Sequence, residues 1–179
     1  MWIILFTTLL LPQKASGESF EVDSKNLANE LKSSLMSNLA AQISKHGVES
    51  AIPFCHENVK PIAKEAAKNY LAKFEFGRSS HKLRNTTNKP KDWMQPYIES
   101  FVGLKFDKKE NSNYGKYGTL PDGKRVYVEP LFIQGQCLSC HGDFIAKNVS
   151  SKITELYPSD KAKGFKMNEF RGIIWIKEK

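Results

Sequence analysis

Apolar residues recur at every fourth position near the start of the chain. They are Leu27, Leu31, Leu35, Leu39 and Ile43. This spacing places them on one face of a helix and predicts a helix over 24–45. The serine at position 24 is expected to cap its start, and the glycine at position 47 to end it. We expect the apolar stripe to pack in the core or against another helix.

Shorter patterned segments follow this helix. Further helices are predicted over 48–59, 61–73, 92–101 and 148–156. Strands are predicted over 74–83, 126–133 and 172–177. Residues 105–122 are polar and Gly-rich and predict a loop, with a strong turn signal at 121–124. Together these elements predict an α+β fold.

The segment 1–17 is typical of a secretory signal. An apolar run over 2–11 is broken by Pro12, and small residues at 15–17 precede the expected cleavage site. The run is far shorter than the ~20 residues that span a bilayer. We therefore expect an exported, periplasmic protein with a single domain over 18–179. Because no Lys or Arg precedes the run, a buried N-terminal strand or a misassigned start remains an alternative.

The sequence Cys137-Leu138-Ser139-Cys140-His141 is the C-x-x-C-H pattern of covalent c-type haem attachment. Two thiols must reach two vinyl groups on one porphyrin edge, and a two-residue spacer sets that span. The imidazole of His141 then lies close enough to bind the iron as the proximal ligand. Gly142 is expected to leave the motif with positive φ. The pattern predicts one covalent haem c, and export agrees with attachment outside the cytoplasm.

Paired cysteines also occur in zinc sites and in redox dithiols. Zinc usually takes four Cys or His ligands, and the chain has no second C-x-x-C. A redox dithiol favours the start of a helix in a βαβ unit, a context that the pattern does not predict. An exported dithiol protein without haem therefore ranks below the haem protein.

The composition of the chain says more about its binding partners than about its fold. The formal charge is +8, from 27 Lys and Arg against 19 Asp and Glu. Such a surface favours acidic partners or anionic membranes, although a solvated lysine-rich surface is the simpler interpretation. The lysines are spread along the chain and no nucleic-acid motif is present. The partner is then a redox or signalling protein, and a homodimer through the first helix remains open.

Several segments resemble a family of bacterial extracytoplasmic c-type haem domains with a PAS-like fold, found alone or as sensor regions of signalling proteins. The matching segments, in order, are Ala51-Ile52 with Cys55, Gly77-Arg78-Ser79-Ser80, Leu83-Arg84-Asn85, Asn88, Pro90, Trp93, the haem motif with Gly142, Tyr157-Pro158, Asp160, Ala162, Gly164-Phe165 and Arg171-Gly172. The chain departs from the pattern at Thr86, Met94 and Asn168, where the family usually has proline, an acidic residue and glycine. The resemblance implies a PAS-like antiparallel sheet with N-terminal helices and one haem.

The sixth iron ligand is the open question. The resemblance implies Cys55, which would explain the odd third cysteine of an exported chain. From the residues alone, Cys55 is equally a small buried hydrophobe. The other candidates are His46, His56, His81, Met36, Met94 and Met167. A thiolate would stabilise ferric iron and lower the potential, whereas Met/His ligation raises it.

Three further residues are candidates for contact with the haem. Arg78 and Arg84 have the planar geometry that pairs with propionates, although surface salt bridges are an alternative. Trp93 is expected to pack on the macrocycle or in the ordinary core. We expect redox or gas sensing, or low-potential electron transfer. An ordinary electron carrier with a Met or His ligand is the alternative, and an enzyme ranks last because no acid–base constellation is apparent.

Overall fold

A four-stranded antiparallel sheet forms the centre of the computed structural model, which describes residues 16–107 and 114–179. Its strands are β1 (Phe74–Ser79), β2 (Lys116–Thr119), β3 (Arg125–Phe132) and β4 (Phe170–Glu178). They lie in the order β1-β4-β3-β2, so the C-terminal strand is an inner strand of the sheet. The α+β class and the three predicted strands are confirmed, although the first strand ends at Ser79 and not at residue 83. Residues 1–15 and 108–113, which include most of the predicted signal and part of the predicted loop, lie outside the described residues.

The long helix α1 (Ser16–Ala66) consists of two arms joined at Gly47, whose φ of 81° and ψ of 169° are not helical. Glycine adopts positive φ without steric penalty, and the predicted helix end at this position is confirmed. Beyond the second arm, the chain returns to the start of the first, where Nζ of Lys73 lies 2.8 Å from Oδ2 of Asp23. The second arm is therefore folded back along the first.

Three predicted boundaries of these helices are wrong. The first arm begins at Ser16, and Ser24 is a buried residue inside it, where its hydroxyl donates to the carbonyl of Glu21 at 3.3 Å. The predicted helices over 48–59 and 61–73 form one arm that ends at Ala66 and contains Pro53 and Pro61. A proline removes one helical hydrogen bond. Tertiary packing compensates for this loss, because alanines near the end of the second arm pack against the core that the first arm forms with the sheet.

The remaining helices are short. They are α2 (Gln95–Phe101), α3 (Leu138–His141) and α4 (Lys147–Leu156), with single 3₁₀ turns at Thr86–Asn88, Asp92–Met94 and Gly135–Cys137. The predicted helix over 92–101 thus begins as a 3₁₀ turn, and Pro96 occupies the first turn of α2, where its missing N–H costs nothing. None of the described helices is long and apolar enough to cross a bilayer.

Helices cover both faces of the sheet. On one face, Leu27 and Leu31 of α1 pack with Ile174 and Ile176 of β4. On the other face, a second cluster joins α2 to the sheet; its buried members are Met94, Ile98, Phe101, Val128, Phe170 and Ile173. Adjacent isoleucines of β4 therefore point into opposite clusters, as the alternation of side chains along a strand requires. The later residues of the apolar stripe, Leu35, Leu39 and Ile43, are only half-buried.

The hairpin that contains β2 corrects another prediction. The predicted loop over 105–122 contains β2, which pairs with β3 from Lys116 opposite Val128 to Thr119 opposite Arg125. Its polar sequence has no strand pattern, so its pairing depends on the partner strand and on the turn that follows. That turn is confirmed, since the N–H of Leu120 donates to the carbonyl of Lys124 at 2.9 Å.

The last hairpin contains one of the departures from the family pattern. Asn168 has a φ of 65° and is the single non-glycine residue with positive φ in the described ranges. Its carbonyl accepts from Phe106, and its N–H donates to Ile133. Asparagine tolerates this conformation better than most residues, so the turn that glycine commonly makes in the family is kept.

A carboxylate on β4 supplies a pH-dependent part of the stability. Oε1 of Glu178 lies 2.5 Å from Nη2 of Arg125, and its Oε2 accepts from Nε and from the backbone N–H of the same arginine. Hydrogen bonding to Arg125 lowers the pKa of Glu178. A carboxylate with a lowered folded pKa stabilises the fold above its unfolded pKa and loses this effect as the pH falls through the folded pKa.

For Glu178→Gln we expect the free energy of unfolding to fall by about 1 kcal/mol at pH 7. Urea denaturation at several pH values should show the difference shrinking below about pH 4, where the native carboxylate becomes protonated. Glu65→Gln is the control, because Glu65 pairs with Lys68 on the surface and its side chain is 74% exposed. A difference for Glu178→Gln that persists undiminished to pH 2 would contradict this account.

Candidate functional site

The C-x-x-C-H motif lies at the exit of β3. The chain passes through the 3₁₀ turn Gly135–Cys137 directly into α3, which ends at His141. The next residue leaves with φ −76° and ψ −174°, so the predicted positive φ of Gly142 is wrong. Glycine is needed there for a different reason, because a Cβ atom would lie 2.7 Å from the carbonyl oxygen of Leu138. The motif is thus a single tight helical turn closed by a glycine.

Both thiols of the motif are free and half-buried. Cys137 packs against a cluster of Ile133, Ala162 and Phe165. Cys140 packs against a different cluster, which joins the second arm of α1 to α4. Burial raises the pKa of the Cys140 thiol. The two sulfur-bearing residues therefore face two apolar environments on either side of the motif.

The imidazole of His141 has a defined tautomer. Its Nδ1 lies 2.7 Å from the carbonyl oxygen of Ala162. A carbonyl only accepts, so Nδ1 carries the proton and Nε2 keeps a free lone pair. Burial, together with the positive charges of Arg171 and Arg84, lowers the pKa of His141 to about 2. The side chain is therefore a neutral imidazole, which is the form that binds metals.

Arg84 links the motif to the loop that follows α4. Its Nε and Nη2 donate to the carboxylate of Asp160 at 3.3 and 3.2 Å. Nη2 also donates to the carbonyl of Cys140 at 2.5 Å and lies 3.3 Å from that of Ala162. The side chain of Asp160 is 2% exposed. The guanidinium predicted to meet a propionate is thus already bonded within the protein.

Arg78 on β1 lies in a different environment. Burial lowers the pKa of its guanidinium, and the groups that oppose this effect are Cys55 and Tyr157. Within residues 16–107 and 114–179, no carboxylate lies within ion-pair distance of Arg78. A half-buried cation without a carboxylate is suited to an anionic ligand.

Arg171 is a site residue that the sequence pattern did not predict. Its Nη1 donates to Oγ of Ser80 and to the carbonyl of Lys82, at 2.9 and 3.0 Å. Burial, together with the positive charges of Arg84 and Arg78, lowers its pKa to about 10. Arg171 had been recognised only as part of a family pattern. Its position on an inner strand, directly after the apolar Phe170, is the feature that could have indicated a role for this cation.

Cys55, on the second arm of α1, is directed towards the same region. Burial raises the pKa of its thiol, while Arg78 and Arg84 lower it. The charge of Cys55 also raises the pKa of Cys140. Ile52 lies one helical turn before Cys55 and packs in the cluster that Cys140 contacts, so the fold brings the third cysteine towards the motif although it precedes Cys140 by 85 positions.

The family match covers the whole of this region. A family model described as Tll0287-like matches residues 14–178. The chain belongs to the Tll0287-like family. The crystal structure of the cyanobacterial heme-protein Tll0287 is 23% identical and aligns with a TM-score of 0.62, over 90% of this chain and 94% of the other. No curated protein matches the chain.

Three histidines are predicted from the sequence as alternatives to Cys55 for the sixth ligand. His46 is exposed beside the bend at Gly47. His56 is exposed, and its ring packs edge-on against Tyr157 with centroids 5.2 Å apart. His81 lies nearly parallel to the ring of Phe170, at 5.3 Å. The contacts of His56 place it nearest to the α1–α4 cluster that holds Cys140.

The methionines are distributed over three regions. Sδ of Met36 lies 4.0 Å from Nε2 of Gln136, the residue before the motif. Met94 is buried in the cluster on the α2 face of the sheet. Met167 is 48% exposed in the loop before β4. Of the three, Met36 has a direct contact next to the first cysteine of the motif.

Trp93, predicted to pack on the macrocycle, lies in the α2 cluster. Its ring contacts Tyr97 and Trp175 edge-on, with centroids 6.4 and 5.9 Å apart. Cys137 and Cys140 pack against two different clusters. The contacts of Trp93 are therefore those of a core tryptophan, and its contact with haem stays a prediction.

Proposed function

We propose that this chain is an exported, periplasmic monohaem c-type protein with a PAS-like fold. Cys137 and Cys140 would form the two thioether bonds, and Nε2 of His141 would bind the iron. The observation that carries the proposal is the bond from Nδ1 of His141 to Ala162, because it leaves Nε2 unprotonated beside two free thiols. The structural similarity to the cyanobacterial heme-protein Tll0287 supports this proposal.

The charges around the motif support the same cofactor. Besides burial, the charges of Arg78, Arg84 and Arg171 lower the pKa of His141, and those of Arg84 and Arg78 lower the pKa of Arg171. Among the described residues, Asp160 is the carboxylate that opposes this effect at Arg171. Two haem propionates would balance this excess of positive charge. Arg78 is the best candidate for such a pair, because Arg84 and Arg171 already donate to protein oxygens.

Cys55 is our candidate for the sixth ligand. Bound haem would supply a one-electron iron couple and, where an axial ligand is released, a site for a small molecule. A thiolate from Cys55 would favour ferric iron and a low potential, which suits redox or gas sensing or low-potential electron transfer. Burial raises the pKa of the Cys55 thiol, whereas the cations Arg78 and Arg84 lower it and so favour the thiolate form. A separate redox or signalling protein, or a second copy of the chain, would receive the signal.

One observation favours the alternative, an ordinary electron carrier. Met36 lies against Gln136 beside the motif, and a thioether ligand would raise the potential. The positive surface would then steer the protein to an acidic partner. In either case we propose no enzymatic role, since the arginines beside His141 are poor acid–base groups at neutral pH.

The first test is covalent haem content. We expect the chain, matured with a haem-attachment system, to give an alkaline pyridine haemochrome spectrum of one haem per chain, retained after denaturation in acid acetone. Cys137→Ala and Cys140→Ala should each shift the spectrum towards that of a porphyrin with one free vinyl group. Cys55→Ala is the matched control and should keep both attachments. A colourless protein whose motif thiols titrate freely would refute the proposal.

The second test identifies the sixth ligand. We expect Cys55→Ala to change the ferric EPR spectrum and to raise the midpoint potential by a sizeable part of the roughly 0.8 V range that axial ligands span. Met36→Leu should leave both unchanged. The reverse pattern, an unchanged spectrum for Cys55→Ala and a changed one for Met36→Leu, would support the electron-carrier alternative.

A further inference from the structure

Arg84 and Asp160 form a nearly buried ion pair whose bonds all lead to the surroundings of His141. The side chains are 13% and 2% exposed. Oδ1 of Asp160 accepts from Nε of Arg84 and also from the backbone N–H of Ala162 at 2.9 Å. A carboxylate that takes a guanidinium and a backbone amide together has little freedom to move.

The pair reaches His141 at two points. Nη2 of Arg84 holds the carbonyl of Cys140, the residue that precedes His141 in the chain. Asp160 holds the N–H of Ala162, whose carbonyl accepts the ring proton of His141. The backbone and the imidazole of the same residue are therefore anchored to a single ion pair that lies outside the motif.

Arg84 has a second effect on the imidazole. Its Nη2 lies 3.3 Å from the carbonyl oxygen of Ala162 that also accepts from His141. A carbonyl shared between two donors is a weaker acceptor for each of them. A weaker acceptor at Nδ1 makes Nε2 a weaker donor to a metal, because the strength of this outer hydrogen bond sets the basicity of the ligand.

We propose that Arg84, held by Asp160, is a positioning residue that fixes the orientation of the His141 ring and moderates its donor strength. This inference rests on the proposed function of His141 as an iron ligand. It assigns to Arg84 a role in place of the propionate contact expected from the sequence. Arg171 provides the comparison, because it is a half-buried cation near His141 that donates to Ser80 and Lys82 instead.

The test separates the effect of Arg84 on the orientation of the His141 ring from the effect of its charge. The double variant Arg84→Gln/Asp160→Asn removes one positive and one negative charge, so the net charge is unchanged and no buried ion is left alone. A glutamine is too short to bridge the acceptors that the guanidinium joins. Arg171→Gln removes a positive charge and leaves the bonds of Arg84 in place. Arg84→Lys keeps the positive charge but loses the planar set of N–H donors of the guanidinium.

The readouts are the ferric EPR spectrum, the midpoint potential and the solvent exchange of the His141 Nδ1 proton, measured by NMR on ¹⁵N-labelled protein. For the double variant we expect proton exchange faster by about tenfold, because the lost anchor at Ala162 outweighs the gain of a carbonyl no longer shared with Arg84, together with a changed EPR spectrum. Arg84→Lys should give intermediate values. Arg171→Gln should lower the potential, since a lost positive charge favours ferric iron, with exchange and EPR as in the parent.

The proposal is overturned if the double variant, folded by circular dichroism, keeps the parent's proton exchange and EPR spectrum. It is also overturned if Arg171→Gln changes both as strongly, because charge alone would then explain them. Failure of the proposed function has a different signature, namely protein without haem in the parent itself. The exchange of the His141 ring proton can be followed in that protein as well, so the two outcomes remain distinct.

Discussion

The hydrogen bond between His141 and the carbonyl of Ala162 is the contact on which the candidate site depends. It joins the end of the motif helix to the loop before β4, and it selects the tautomer in which Nε2 is available. The same loop is tied back to the motif through further backbone bonds, from Gly164 to Gly142 and from Phe165 to His141. The motif is therefore held in place by a segment that follows it by some twenty residues.

The bend at Gly47 in α1 likewise contributes to the candidate site, because it determines where Cys55 lies. A straight helix of this length would carry Cys55 far from the sheet, since each residue adds about 1.5 Å. The positive φ of Gly47 turns the second arm back, and the arm then packs on α4 through Ile52, Val149 and Ile153. A single glycine thus makes it possible for the third cysteine to approach the motif.

The features that were predicted correctly are those that depend on residues close together in the sequence. The motif, the strands around 126–133 and 172–177, the turn at 121–124 and the stop at Gly47 follow from spacing or from backbone preference. The short strand β2 could not be predicted in this way, because its pairing depends on β3 and not on its own residues. The continuation of α1 through Pro61 depends likewise on packing that the proline rule does not include.

The same division applies to the site. Cysteine and histidine spacing identified the candidate ligands, but nothing in the spacing distinguished Arg78 from Arg84. Their difference lies in Asp160, which is 76 residues from Arg84 and neutralises only one of the two. Long-range pairing of this kind is visible in three dimensions alone, and it also explains why Arg171 was recognised as part of a pattern but not as a neighbour of His141.

The unbalanced arginines link the stability of the fold to its ligand. Bringing Arg78, Arg84 and Arg171 together beside one carboxylate costs free energy, because like charges repel and burial removes their hydration. An anionic group that binds the folded chain and not the unfolded one returns part of that free energy. The charge arrangement that makes this region unfavourable by itself would therefore favour binding of an anionic group such as the proposed haem, and folding would then be coupled to that binding.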